Sequence, residues 1–249
     1  MTQPVATDFV IRSCDTLAEL EACLDLQRQV WGYTDADLVP VSILIVARKT
    51  GGHVLGAFDD DRLVGFTLGF SGHHSGTPYV HSHFLAVLPE YRDRGVGRAL
   101  KLQQREHCLR QGIHTIEWTF DPLEIKNARL NIARLGSIIR QFIPNAYGVT
   151  SSHLHGNLPT DRLVAQWHLD SLRVKSTLAG NPPQPAPSAV KISLPVDIGQ
   201  MRQDDPAAAR AVQTNLRRDF EHHFSRGYAV IGFQIEGTNA SYLLEPYED

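Results

Sequence analysis

Two rhythms of apolar positions run through this chain. Phe9, Val10 and Ile11 form a short apolar run that, with Arg12, predicts a strand. Thr16 and Glu19 then stand three residues apart, and Leu17, Leu20 and Leu24 repeat at helical spacing. That pattern is a capping box opening a helix toward Trp31 and Gly32. A shorter helix is predicted over residues 35–49, with Pro40 near its start. The rhythm then turns to short apolar runs. Residues 53–58 and 62–70 flank Asp59, Asp60 and Asp61 as the arms of a hairpin. A Gly/His/Ser loop over residues 71–77 leads into a strand over residues 79–87.

Further along, a helix is predicted from residue 96 to about residue 111, stopped by Gly112. A strand over residues 114–120 ends at Asp121 and Pro122, a helix follows over residues 127–137, and two strands over residues 141–148 and 163–170. Pro182, Pro183, Pro185 and Pro187 then crowd into eight residues, which predicts an extended, semi-rigid linker. Beyond it, residues 190–196 read as a strand. Pro206 opens a helix with Val212, Leu216, Phe220 and Phe224 on one stripe. Gly227 ends that helix, and residues 228–233 and 241–244 form a closing hairpin. The organisation expected is a main domain over residues 1–175, a linker over residues 176–189, and a β-α-β-β extension over residues 190–249. An extension of this size is marginal alone and should dock on the main domain.

Composition narrows the class of function. A net charge of −3 gives no electrostatic reason to bind nucleic acid or an anionic membrane surface. No apolar stretch approaches the roughly 18–20 residues that span a bilayer. The N-terminal residues lack the basic and apolar regions of a signal peptide. Cys14, Cys23 and Cys108 are odd in number and form no Cys-x-x-Cys pair, so a reducing, cytoplasmic setting is expected.

The chemistry concentrates after residue 84. The apolar run Phe84-Leu-Ala-Val-Leu ends at Pro89, a loop with Arg92 and Arg94 follows, and Gly95 and Gly97 open a helix that carries Arg98. The first turn of a helix presents amide donors without intrahelical partners and a partial positive charge. Glycines let an anion approach that backbone closely, and arginines add charge and forked donors. The stretch reads as a pyrophosphate cradle. A plain strand-to-helix turn would carry the same lone Gly-x-Gly. The dinucleotide fingerprint is excluded, because Leu100 stands where its third glycine would fall.

With Leu85-Ala-Val before it, Arg92-x-x-Gly95-x-Gly97 resembles the acyl-CoA signature of the GNAT superfamily of N-acyltransferases. The element order over about residues 9–173 agrees with that family. The resemblance implies an α/β (α+β) fold with a mixed, mostly antiparallel sheet flanked by helices. It also implies acetyl-CoA, or another acyl-CoA, as co-substrate. On the resemblance, Leu85 and Val87 offer backbone bonds to pantetheine, and Arg92, Arg94, Gly95, Val96, Gly97, Arg98 and Ala99 hold the pyrophosphate. Asn127 or Asn131 binds the pantetheine amides. A free alkylamine has a pKa near ~10.4, so a base is needed to present it neutral. His81 stands where histone-type relatives carry a glutamate base, and imidazole suits that task at neutral pH. Alternation would set His81, His83, Leu85 and Val87 on one face. His83 is the reserve, and Glu117 a further candidate. Against the base role stands the plain reading of His81 as a hydrogen-bonded strand residue. Where many relatives carry a thiolate-protonating tyrosine, this chain has Asn131 or Ile132, and Tyr147 is the substitute. His81-x-His83 and His153-x-His155 could pair imidazoles, yet no companion ligand motif accompanies them, so no metal is expected. The expected activity is acetyl transfer to a small-molecule amine by direct attack. A non-catalytic acyl-CoA-binding module and a peptide or protein acyltransferase are the alternatives. Neither nucleic acid nor membrane is an expected partner, and a homodimer is compatible with the sequence.

Overall fold

A computed structural model describes residues 9–148 and 158–248. Contacts divide them into two compact units, the first running to Ile116 and the second starting at Glu117.

In the first unit, β1 (Val10–Ser13), α1 (Leu17–Trp31), α2 (Val41–Lys49), β2 (His53–Asp59), β3 (Arg62–His74), β4 (Thr77–Val87) and α3 (Val96–Arg110) follow in order. The strands form an antiparallel meander, β1-β2-β3-β4. The capping box is present: Glu19 N donates to Thr16 Oγ1 at 3.2 Å, and Thr16 N donates to the Glu19 carboxylate at 3.0 Å. Gly32, at φ 66°, ends α1 in the left-handed region. The second helix begins at Val41, six residues later than the pattern predicts. Pro40 biases Val39 away from helical geometry, and the buried Gln27 bonds both Val39 N (2.8 Å) and Val39 O (3.2 Å). Residues 71–74, predicted as loop, belong to β3. Ser75 (φ 50°) and Gly76 (φ 86°) close a two-residue turn, whose geometry suits strand twist and lets the hairpin extend. Leu44, Phe66, Leu68, Ala86 and Leu100 lie in this unit's core.

β4 carries the feature that positions the candidate site. Its register against β3 pairs Leu68 with Phe84 but Gly69 with Ser82, so His83 is an extra, bulged residue. A one-residue shift exchanges the two faces of a strand.

β5 (Thr115–Phe120) crosses the boundary into the second unit. There follow α4 (Ile125–Ala128), a π-helical turn (Arg129–Arg134), β6 (Ile138–Ile143), β7 (Arg162–His168), α5 (Leu172–Leu178), β8 (Val190–Pro195), α6 (Ile198–Asp204), α7 (Pro206–Phe224), β9 (Tyr228–Glu236) and β10 (Asn239–Pro246). The strand order of this unit is β5-β7-β6-β9-β10-β8. The helix predicted over residues 127–137 is α4 plus the π turn, widened where Leu135 N reaches Leu130 O and Ser137 N reaches Asn131 O. β6 stops at Ile143 rather than residue 148, because Pro144 lacks an N–H and Asn145 turns to φ 46°. α5 and α6 lie in segments without a predicted helix. Their polar composition hides them: each buries only one or two side chains. The proline-rich segment lies against the sheet at one point, since a Cβ on Gly232 of β9 would fall 2.7 Å from Pro185.

Candidate active site

The turn after β4 is built for a helix N-terminus without side-chain capping. Leu88 N returns to Val64 O (2.9 Å), a 3₁₀ turn spans Pro89–Tyr91, and Asp93 (φ 60°) and Gly95 (φ 86°) reverse the chain. Gly95 is the N-cap of α3, and the first bond of that helix runs from Ala99 N to Gly95 O at 3.0 Å. The amides of Val96, Gly97 and Arg98 therefore lie ahead of the hydrogen-bond ladder, with the positive end of the helix dipole behind them. Gly97 faces β4: a Cβ there would meet Leu85 Cδ2 and Val87 Cγ2, both at 3.8 Å. Leu85, Val87 and Gly97 thus come together.

Arg92 and Arg94 are exposed around this turn, and Arg98 is half-buried. Arg92 Nε donates to Val87 O at 3.3 Å. Arg94 lies 5.2 Å from the Tyr91 ring centroid, Arg62 lies 5.7 Å from it, and the Tyr91 hydroxyl donates to Asp59. Arg62 also pairs with Glu90 at 2.7 Å. A backbone amide cluster at a helix start, flanked by guanidinium groups on an exposed loop, can hold a pyrophosphate.

One expectation fails geometrically. Thr67, Gly69 and Ser82 face α3: Gln104 Nε2 donates to Thr67 Oγ1, Lys101 Nζ donates to Ser82 Oγ, and a Cβ at Gly69 would strike the His53 ring. Leu85, opposite Thr67, shares that face, as does Val87 opposite Gly65. His81 pairs with Phe70 and lies on the other face. His81 and Leu85 therefore do not share a face, because the bulge at His83 interrupts the alternation.

On His81's side the rings form a chain. Trp31 and Phe84 centroids are 4.6 Å apart, Phe84 and His83 4.3 Å, Phe70 and His83 5.7 Å, and His81 and His83 6.0 Å. Tyr33 adds a stacked contact with Trp31 at 5.5 Å. Burial, and next the charge of His81, push His83 down to about 4, so it is neutral and weakly basic at pH 7.

The remaining candidates stand in the second unit. Asn127 is exposed on α4, and Asn131 is buried in the π turn, its carbonyl accepting from Ser137 Oγ at 2.6 Å. Tyr147 is half-exposed; its hydroxyl shares a 2.8 Å hydrogen bond with Thr119 Oγ1, and Arg162 sits 5.3 Å from its ring centroid. Glu117 accepts from Gln166 Nε2 at 2.9 Å. His153 and His155 lie outside the described residues, and among the described residues no cluster of three or more metal-ligating side chains occurs. No described helix is long and apolar enough to cross a membrane.

Sequence reading missed the polar network under β4. Lys101 is 1% exposed and donates to Ser82 Oγ at 2.8 Å and to Gln104 Oε1 at 3.2 Å. Gln104 Nε2 in turn meets His53 Nε2 at 2.7 Å and Thr67 Oγ1 at 3.3 Å. The signal for it was present: Val96, Leu100, Gln104 and Cys108 repeat every four residues, with one amide on an otherwise apolar stripe. A charged lysine has donors and no acceptor, so it fixes the Gln104 carbonyl toward itself and the Gln104 amide toward His53. His53 Nε2 must then accept, which keeps the imidazole neutral. Burial pushes His53 down to about 3 in the same sense.

A sequence profile of the acetyltransferase (GNAT) family matches residues 20–130. No curated protein sequence matches the chain. Among solved structures, the ribosomal-protein-S18-alanine N-acetyltransferase of Escherichia coli is similar, with a TM-score of 0.52 at 15% identity over 66% of this chain and 95% of that one. The Salmonella typhimurium protein yncA, with acetyl-CoA as its cofactor, gives 0.52 at 18% identity over 66% and 95%. A GNAT family acetyltransferase from Elizabethkingia anophelis with acetyl-CoA bound gives 0.50 at 11% identity over 65% and 99%. At such identities the likeness is one of fold.

Proposed function

We propose that this protein, whose residues 20–130 match the acetyltransferase (GNAT) family, transfers an acetyl group from acetyl-CoA to a small-molecule amine. The observation that carries the reading is the turn between β4 and α3. Its three leading amides, the left-handed Gly95 and the contact of Gly97 with Leu85 and Val87 suit a pyrophosphate with a pantetheine arm on β4. Arg92, Arg94 and Arg98 supply charge, Val96 and Ala99 supply backbone, and Asn127 and Asn131 supply amide partners for the arm.

The amine nitrogen attacks the thioester carbonyl directly, the tetrahedral oxyanion collapses, and the carbon–sulfur bond breaks to release CoA thiolate. The amine's proton passes to a base, directly or through water. His81 takes that role in our reading, with His83 in reserve because its weak basicity suits it less. Tyr147 is the proton donor to the thiolate, and Asn131 contributes only hydrogen bonds, since an amide is no acid. The ring chain of Trp31, Tyr33, Phe84 and His83 supports a small acceptor, as a compact aromatic surface beside the base. The domain order we infer is an acyltransferase domain over residues 1–175 and an extension over residues 190–249. Arg202 of α6 binding Asp121 and Glu124 after β5, and the Tyr242 hydroxyl donating to Pro122 O, support that docking.

Calorimetric titration with acetyl-CoA and longer acyl-CoAs, followed by thiol release on amine and N-terminal-peptide libraries, tests the reading. Binding with turnover on small amines supports it. Turnover on peptides alone would move the acceptor class to polypeptides, binding without turnover would leave an acyl-CoA-binding module, and no binding would overturn the site.

A further inference from the structure

β4 breaks its own alternation at His83, and the break has visible supports. A bulge leaves a residue outside the ladder and a backbone group in need of a partner. Here Thr67 Oγ1 donates to the Phe84 carbonyl at 2.8 Å, immediately after the bulged residue. Lys101 Nζ holds Ser82 Oγ at 2.8 Å, immediately before it. Gln104 ties the two supports together, accepting from Lys101 at 3.2 Å and donating to Thr67 at 3.3 Å. Both flanks of the bulge are thus gripped from the α3 side.

We infer that Lys101 is a positioning residue for acetyl transfer: through Ser82, and through Gln104 and Thr67, it holds the β4 bulge and so decides which face His81 occupies. This rests on the reading that acetyl-CoA lies along β4. In an unbulged register, every β4 residue before the bulge would turn over. His83 and His81 would then point toward α3, and Ser82 would leave Lys101. The α3 face has no room for that exchange beside Gly69. A single Cβ there would already stand 2.5 Å from the His53 ring and 2.9 Å from Val80 Cγ1. A buried amine is a costly way to fill space, and an apolar side chain of equal length would fill it without that cost. What the amine adds is a directed donor that favours one register over another. Burial pushes Lys101 down to about 7, so even its neutral form, which still has N–H donors, is available to keep the contact.

The test uses the full chain labelled with ¹³C-histidine, with His81 and His83 signals assigned from His81→Gln and His83→Gln. Lys101→Met removes the donor at nearly constant volume, and Ser82→Ala removes its acceptor while leaving the lysine. Both should shift the His81 and His83 ring signals and leave those of His222 and His223 in place. With acetyl-CoA and the amine that releases thiol fastest, kcat should fall about 100-fold while KM for acetyl-CoA changes far less. Unmoved His81 and His83 signals in either folded variant would overturn the inference, and Ser82→Ala decides should Lys101→Met not fold. Failure of the wild type to bind acetyl-CoA would instead remove the acyltransferase reading. The histidine spectra would still report on the bulge.

Discussion

Gly97 at the start of α3 faces Val87 at the end of β4, with room for a Cβ at 3.8 Å from the nearest Val87 methyl carbon. The protein itself therefore tolerates a side chain there. Gly97→Ala should leave the fold intact and can raise stability by up to about 1 kcal/mol through helix propensity. Acetyl-CoA affinity should nevertheless fall at least about tenfold, or 1.4 kcal/mol, and Gly97→Val should abolish binding. Thermal melts beside calorimetry separate the two effects, and full affinity in Gly97→Val would remove the cradle.

Gly95 presents the opposite case. No atom lies near an added Cβ, but its φ of 86° is unfavourable for any L side chain. Gly95→Ala should cost roughly 1–2 kcal/mol, read as a lower urea midpoint. A stability equal to wild type would mean the turn can relax without glycine.

The two strand histidines are separable by pH. With His83 held near 4, a base role for it would give an acid limb in kcat/KM near pH 4. We expect instead a limb at higher pH that disappears in His81→Gln and survives in His83→Gln. The reverse pattern would transfer the base role to His83.

Stability should also depend on pH in a directed way. Lys101 binds its proton near 10.5 when unfolded and near 7 when folded, so the unfolded state holds more protons between those values. Stability should rise with pH from about 7, by at most about 1.4 kcal/mol per unit. The rise should be clearest below pH 9, because burial raises the Cys108 thiol from 9.0 to about 12 and opposes it above. On the acid side, His83 and His53 are depressed below 6.5, so stability falls as pH drops through that value toward 4 and 3. Urea titrations of Lys101→Met should lose the rise between pH 7 and 9 and keep the acid fall. A rise that persists in this variant would assign it to another group.

Arg202 reaches Asp121 Oδ2 at 2.6 Å and Glu124 Oε1 at 2.9 Å with its side chain 8% exposed. Burial, and then the charge of Asp121, raises the Glu124 carboxyl, so these acids depend on the guanidinium. Arg202→Met should destabilise by about 3 kcal/mol, chiefly because the largely buried Asp121 loses its cation, while the half-exposed Glu124 is partly screened by solvent. Adding Asp121→Asn should recover part of that loss in the same urea assay. A single variant within 0.5 kcal/mol of wild type would mean that solvent already screens the pair.

Much of this molecule is decided by local chemistry and is therefore legible from its residues. Thr16 and Glu19 start α1 wherever the chain goes, Gly32 ends it, and the left-handed Gly95 opens α3 after an apolar strand. The cradle belongs to that class, since loop, glycines and helix start are contiguous. The face that His81 takes does not. Alternation along residues 80–87 gave no sign of a bulge, because the contacts that fix it come from Thr67, Lys101 and Gln104, 16, 18 and 21 residues away from His83 in the chain. Likewise the partners of Asp121 and Pro122 arrive from Arg202 and Tyr242, 81 and 120 residues on. A periodic pattern reports which side of a strand is apolar. Only packed neighbours determine where that periodicity slips by one residue.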